Sequence, residues 1–339
     1  MSPTRGLAAS LALVIGAIAA RGESDPTTGP TGDLPAALIA TLEALGASSG
    51  VPDGVGATWE PPRPVAAQPS TLSLFDLHVG LTVPVQHSAE QGVFCVASVR
   101  ALFADGAARL PDDRVPFPDS LWDMQAGGAY VRRLGDGQSL GVCLSAGSAS
   151  DRPFHSIHEA IVSAFAFWRT EPMAGHAWIF YVVSVTNGQV GRNVPIPGVA
   201  YEFQTEQLKG VVGLPFLNVV YRPLDALELN LDYAAITDVR CRANVLVTEG
   251  VKLFGGFDWD SESWFRAGRP DHREQTYWYE KRLEGGATWA EWAHVQLEVA
   301  GGYAFDRYFL EDRGFSLGGR NHIGLAAGPF VRLQIELRF

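Results

Sequence analysis

Positive charge is scarce in this sequence of 339 residues: 26 Lys and Arg stand against 37 Asp and Glu, for a net charge of -11. No basic tract offers phosphates an electrostatic footprint, so a nucleic-acid partner is not expected. Cysteine is scarcer still. Cys95, Cys143 and Cys241 are far apart and odd in number, which excludes a disulfide framework and any metal-ligand spacing. Strand parity puts Cys241 on an outward face and Cys143 on an inward one, so these two are not expected to pair. Long apolar runs are confined to the start of the chain, and no other stretch reaches the roughly 18 residues of a membrane-spanning helix. A helical membrane protein is thereby excluded, and any membrane residence must come from strands.

Catalytic motifs are also missing. There is no G-x-S-x-G, no P-loop and no paired-cysteine motif. His155 and His158 are three apart, a spacing that suits a metal on a helix but points to opposite faces on a strand. No catalytic, cofactor-binding or metal-binding residue is therefore assigned, and no cofactor is expected.

What is present is alternation. Over 329–339, Val331, Leu333, Ile335, Leu337 and Phe339 interleave with Arg332, Gln334, Glu336 and Arg338. A period of two over this length is a strand with different surroundings on its two faces. The aromatic ending resembles the final strand of bacterial outer-membrane β-barrels, in which a terminal Phe is read by the assembly machinery; the resemblance makes Phe339 the expected assembly signal. The same alternation recurs at 75–85, 122–132, 140–148, 227–234, 239–248 and 293–304, with weaker runs at 93–102, 157–168, 178–185, 199–203, 214–221, 251–259 and 277–283. Thirty-seven Gly and abundant aromatics suit tight turns and aromatic girdles. The expected fold is an all-β transmembrane antiparallel barrel of about 14 strands, with 12 as the alternative. A soluble sandwich or lipocalin-like barrel alternates in the same way and is the competing architecture.

Domain limits follow from composition. Residues 1–20 read as a signal peptide: Arg5, an apolar run including Leu11, Leu13, Val14 and Ile15, then small residues at Ala17, Ala19 and Ala20. Residues 21–70 are Pro-, Gly- and Ala-rich linker, interrupted by a short amphipathic helix at 33–46 with Leu34, Leu38, Leu42 and Leu45 on one face. The helix could rest on a membrane, enter the barrel mouth, or do nothing. The barrel is expected at 71–339. Loop lengths counted back from the end alternate long (307–324), short (284–286), long (262–273) and short (248–250), but the long 105–119 falls on the wrong side of the count. Along 289–305 the outward series from Trp289 to Tyr303, taken as one strand, spans roughly 46 Å and brackets an apolar band.

The stretch Leu214-Pro215-Phe216 through Tyr221-Arg222-Pro223 into 227–233, with Gly302-Tyr303-Ala304-Phe305-Asp306-Arg307, resembles an uncharacterised family of bacterial outer-membrane β-barrel proteins. The resemblance covers about 71–339 and implies an outer-membrane barrel without an assigned activity.

The polar face, taken as a lumen, supplies the candidate site: Asp76, His78, Glu228, Asn230, Asp232, Arg240, Arg242, Asn244, His294, Gln296, Glu298, Arg332, Gln334 and Glu336. Charged rings of this kind select solutes in channels. In the hairpin 227–247, keeping both polar sets inward demands an odd loop; a three-residue loop at 236–238 pairs Asp232 with Arg242 and Asn230 with Asn244. The functional expectation is a passive or gated pore for an unidentified small solute, in an exported outer-membrane protein whose partners are outer-membrane lipid and the barrel assembly machinery. A structural or lipid-handling barrel with a filled lumen is the alternative, and a membrane-embedded hydrolase the third reading.

Overall fold

The computed structural model describes residues 54–187, 194–214, 216–234, 238–292, 295–314 and 319–337. The expected signal peptide, the helix at 33–46, the rest of the linker before Gly54, and the candidates His294 and Phe339 lie outside the described residues.

The strands are β1 (Gly54–Pro64), β2 (Thr71–His87), β3 (Gln91–Gly106), β4 (Ser120–Gly135), β5 (Gln138–Ser150), β6 (Ala160–Met173), β7 (His176–Val185) and β8 (Ile196–Gln204). They continue as β9 (Leu208–Gly213), β10 (Phe216–Leu224), β11 (Leu227–Ala234), β12 (Asp238–Thr248), β13 (Val251–Trp264), β14 (Gln275–Trp292), β15 (Val295–Asp312), β16 (Arg320–Leu325) and β17 (Gly328–Leu337). Each strand from β1 to β15 pairs antiparallel with the next, β15 pairs with β17, and β17 returns to β1 through Gly54↔Glu336 to Trp59↔Val331. The ring therefore closes with 16 strands and no free edge, which satisfies every ladder internally. The remaining strand, β16, continues the last hairpin past the ring and pairs with β15 at Phe309↔Ile323.

The count exceeds the expected 14 because two strands carried weak signals. Residues 54–64, read as linker, form β1 and bond to both β17 and β2. Its prolines, Pro61, Pro62 and Pro64, lie beyond Trp59, the last residue laddered to β17, and the β2 register shifts between Glu60 and Arg63. Proline is tolerated there because that stretch of the strand has lost one partner. The other omission, β9, is six residues long. Restoring it removes the misfit in the loop count. Connections 88–90, 136–137, 174–175, 205–207, 225–226 and 249–250 are the short turns at one end, and 65–70, 107–119, 151–159 and 265–274 are the longer loops at the other.

Two local expectations are overturned. Residues 284–286 are not a turn: β14 runs through them, pairing Glu284↔Gly302, Gly285↔Gly301 and Gly286↔Ala300. Trp289 and Tyr303 are consequently on neighbouring strands, with Trp289 opposite Leu297, so their spacing measures no strand length. Of the two glycines that mimicked a turn, Gly286 serves packing instead, as does Gly302 opposite Glu284. A Cβ on Gly286 would meet the Phe254 ring at 2.6 Å, and one on Gly302 the Phe330 ring at 2.9 Å. Inward aromatic rings lie flat across inward glycines of the adjacent strand, a cross-strand device that pins register.

The exterior is apolar. Leu144 is 56% exposed, Leu283 55%, Val331 53% and Leu333 47%, and all lie on the outward parity of their strands. Such a continuous exposed apolar surface does not suit water. Aromatics rim it. At the long-loop end Trp59, Phe75 and Phe103 stand opposite one another on three consecutive strands, and Phe103 meets Trp122 edge-on with ring centroids 5.4 Å apart. Toward the short-turn end lie Tyr130, Trp168, Trp178, Tyr201 and Trp289, with the Trp178 and Tyr201 rings 4.9 Å apart. Trp122 and Tyr130 share the outward face of β4, and at about 3.4 Å per residue and about 40° tilt they bracket roughly 21 Å along the axis. Among the described residues no helix is long and apolar enough to cross a membrane. The cysteines follow their parity, with Cys143 buried and Cys95 and Cys241 exposed, all three free.

Candidate functional site: a charged inner wall under a capped mouth

The polar faces of β11 to β17 and β1 to β3 turn away from the apolar exterior and interlock. Arg242 and Arg332 meet Glu284 and Glu298 in a four-group cluster: Arg242 donates to Glu298 at 2.8 Å and to Glu284 at 3.0 Å, and Arg332 donates to the same two carboxylates at 3.0 Å each. The Arg242 guanidinium lies 3.9 Å over the Phe254 ring, and Thr288 donates to Glu298 at 3.3 Å. Two cations and two anions compensate one another, which is what allows the carboxylates to be almost wholly buried.

A second cluster lies nearer the long-loop end. Glu280 forms ion pairs with Arg307, at 2.8 Å, and with Arg282, while Glu60 on β1 pairs with both arginines. Beside it Arg100 is bidentate on Asp76, at 2.7 Å for the shorter contact, and reaches Asp260 at 3.3 Å and Glu262. Arg100 is on β3 and Asp260 on β13, which are not neighbours but are separated round the ring by β2, β1, β17, β15 and β14. The ion pair therefore spans the interior from wall to wall.

Two loops bridge the mouth above these charges. From 107–119, Leu110 and Phe117 are buried with Trp264, Phe265, Trp278 and Phe309. Phe265 donates its N–H to the Ala149 carbonyl at 2.8 Å and bridges to Ser150, so the loop after β13 is joined to β5 on the far side of the ring. Polar contacts latch the cap. Asp113 accepts from Arg266 and Arg320, the Asp112 N–H donates to Asn321 at 2.9 Å, and Arg266 donates to Glu311 at 2.6 Å. Burial opposes the Arg266 charge, but Glu311 and Asp113 hold its pKa above the ordinary arginine value. Neither loop carried a sequence signal for this role, because Asp112 and Asp113 meet partners more than 150 positions away.

No family model and no curated protein matches the chain. Solved structures similar to it include the β domain of the Bordetella autotransporter BrkA, at 11% identity, a TM-score of 0.30, and 85% of this chain and 100% of that one covered. Pseudomonas aeruginosa OccK5 (OpdH) is similar at 8% identity and a TM-score of 0.34, covering 84% and 98%. OmpT of Vibrio cholerae, an outer-membrane protein, is similar at 10% identity and a TM-score of 0.31, covering 84% and 96%. The architecture rests on the hydrogen-bonded ring itself.

The sequence candidates divide among several neighbourhoods. Asp76, Arg242, Glu298 and Arg332 enter the clusters above, and His78 lies flat on Gly56 beside Asp76. Glu228 accepts from Arg222 at 2.7 Å and from Asn230 at 3.3 Å, and Asn244 reaches it at 3.4 Å. Gln296 and Gln334 both donate to Glu336 at 3.0 Å, nearer the short-turn end. The hairpin keeps its parity but not its register: Asp232 stands opposite Arg240, Asn230 opposite Arg242 and Glu228 opposite Asn244. Asp232 accepts from Asn218 on β10, and Arg240 sits 3.6 Å from Asp258 on β13, so each charge pairs away from the hairpin. Glu60, Arg100, Glu280, Arg282, Glu284 and Arg307 were not among the candidates. The spacing of two between Glu280, Arg282 and Glu284 was the available signal, hidden by the presumed turn.

Among the described residues no group of three or more His, Cys, Asp and Glu could hold a metal. His158 stacks on His272 with ring centroids 4.0 Å apart, while His155 lies 4.0 Å from Glu159.

Proposed function

We propose that the chain is an outer-membrane β-barrel acting as a gated pore for small charged or polar solutes, held closed here by its cap. The observation that carries this reading is the latch of Asp113 on Arg266 and Arg320, which fastens two loops over an interior lined with charges of both signs. A mouth closed by ion pairs opens without dismantling strand ladders, and an inner wall of arginines and carboxylates favours hydrated ions over apolar solutes. The apolar exterior with its two aromatic rims supports membrane residence.

A filled structural barrel is the second reading, favoured by the wall-to-wall pairing of Arg100 with Asp260. Conductance in planar bilayers separates the two. The pore reading expects brief, infrequent steps from the native protein and long-lived steps from Asp113→Ala, with Arg320→Ala as a milder second variant. Silence from all three, in protein that shows the gel shift of a folded barrel, overturns it in favour of the filled barrel.

A further inference from the structure

Along β5 the ladder with β4 is unbroken from Ser139 to Ser150, so Val142, Leu144, Ser148 and Ser150 share the outward face. Val142 and Leu144 are exposed there, yet Ser148 and Ser150 are wholly buried. The chain 151–159, between β5 and β6, covers them. The Phe154 N–H donates to the Ser148 hydroxyl at 3.1 Å, and that hydroxyl donates to the Glu159 carbonyl at 3.2 Å. The Arg152 N–H donates to the Ser150 hydroxyl at 3.1 Å. This loop is therefore folded back against the outer wall of the barrel.

It is braced in that position. Ser156 donates its N–H to the Glu159 carboxylate at 2.7 Å and its hydroxyl at 3.1 Å, and Glu159 is buried 3.9 Å from Arg269. Phe154 takes a φ of 61°, a left-handed conformation that an aromatic residue seldom adopts. With the polar groups bonded inward, the apolar side chains are left outside: Phe154 is 66% exposed and Ile157 81%. In water neither the strain nor the exposure is offset.

The adjoining rim shows what offsets them. Trp59, Phe75, Phe103 and Trp122 carry the aromatic rim across β1 to β4, and the residue opposite Trp122 on β5 is Ser150. The rim of the strands stops at the serine that the loop covers, and Phe154 and Ile157 continue it from the loop. Below them Val162 is exposed on the outward face of β6. An aromatic and an aliphatic side chain at this level suit the boundary between lipid headgroups and acyl chains.

We propose that the loop 151–159 is a foot seated in the membrane surface, with Phe154 and Ile157 inserted at the headgroup–acyl boundary of the lipid around the barrel. The proposal rests on the membrane reading above and not on the pore. The loop after β13 is fastened to this foot, Ala267 donating its N–H to Asp151 at 2.6 Å and Arg269 donating to the His158 carbonyl at 2.8 Å, so the bridge over the mouth is moored to lipid.

A fluorescent label reads the contact. Cys95→Ser, Cys143→Ala and Cys241→Ser together remove the native thiols from the full chain. Ile157→Cys and Phe154→Cys are then introduced singly and labelled with nitrobenzoxadiazole. Arg114→Cys, exposed on the loop 107–119, is the water-facing control, and Leu333→Cys is the lipid-facing one. Proteins that show the gel shift of a folded barrel are placed in phosphatidylcholine vesicles, with or without bromine on the acyl chains close to the headgroup. At one or both loop positions the label is expected to emit at shorter wavelength and to be quenched by brominated lipid severalfold more strongly than at Arg114→Cys. Quenching at neither loop position, with Leu333→Cys quenched, overturns the foot and leaves the membrane reading intact. Quenching at none of the four positions overturns both. A loop label that is blue-shifted but not quenched means that protein and not lipid covers the loop, which also overturns the proposal.

Discussion

Phe265 donates its backbone N–H to the carbonyl of Ala149 at 2.8 Å, fastening the loop after β13 to β5 on the opposite side of the ring. A backbone bond between walls that share no ladder can exist only if the mouth is bridged, and the side chains around it make the bridge dry. The Phe117 and Phe309 rings lie 4.6 Å apart, and Phe309 and Trp278 lie 4.2 Å apart.

The latch beneath that bridge depends on Arg266, whose side chain is almost fully buried between Asp113 and Glu311. Arg266→Ala leaves the buried Glu311 carboxylate without its cation, which typically costs about 3–5 kcal/mol, while Asp113 keeps Arg320. The expected outcome is a lower urea midpoint with the barrel still assembled. A midpoint within error of the native protein would show that the cap contributes nothing to stability.

The four-group cluster makes a different claim. Glu298→Gln leaves Arg242 and Arg332 sharing Glu284 alone, and is expected to destabilise by about 3 kcal/mol. Combining it with Arg242→Met should restore part of that loss, because one cation then faces one carboxylate. Strictly additive losses in the double-mutant cycle would mean the two groups do not act together.

Glycines in the strands separate by face. At Gly302 a Cβ would lie 2.0 Å from the Leu283 carbonyl oxygen and 2.9 Å from the Phe330 ring, whereas at Gly255 the nearest atom is 3.8 Å away. Gly302→Ala is therefore expected to reduce the yield of folded barrel severalfold while Gly255→Ala leaves it unchanged. Equal yields in a gel-shift folding assay would contradict the ring-on-glycine packing.

Which face meets lipid is tested on β17. Leu333 points outward and Gln334 inward, where it bonds Glu336. Arginine in place of Leu333 should cost about 2–4 kcal/mol if that position lies near the bilayer midplane. Arginine in place of Gln334, facing a carboxylate, should cost less than about 1 kcal/mol. The reverse order, measured by unfolding in lipid vesicles, would exchange inside for outside.

Alternation by itself determined the class of fold, the face each residue takes, and most of the strands. A period of two is a local property of an extended backbone, so Leu333 and Arg332, or Cys241 and Arg242, could be assigned to opposite faces without knowing any partner. Partners were another matter. Asp232 stands opposite Arg240 and not Arg242, although parity allowed both, because a shift of two residues preserves every face and only contacts beyond the strand itself choose between registers. Gly286, next to Gly285, read as part of a turn because turns and ring-bearing strand positions demand the same missing side chain, and only the Phe254 ring across the strand distinguishes them. β1 was hidden for a related reason: its prolines signal a break, yet the ladder partner they would have deprived is already gone at Trp59. The ion pairs of Arg100 with Asp260 and of Arg266 with Asp113 join residues more than 150 apart, and no local pattern encodes them. Closing the ring brought them within reach, and with them the charged interior and its cap.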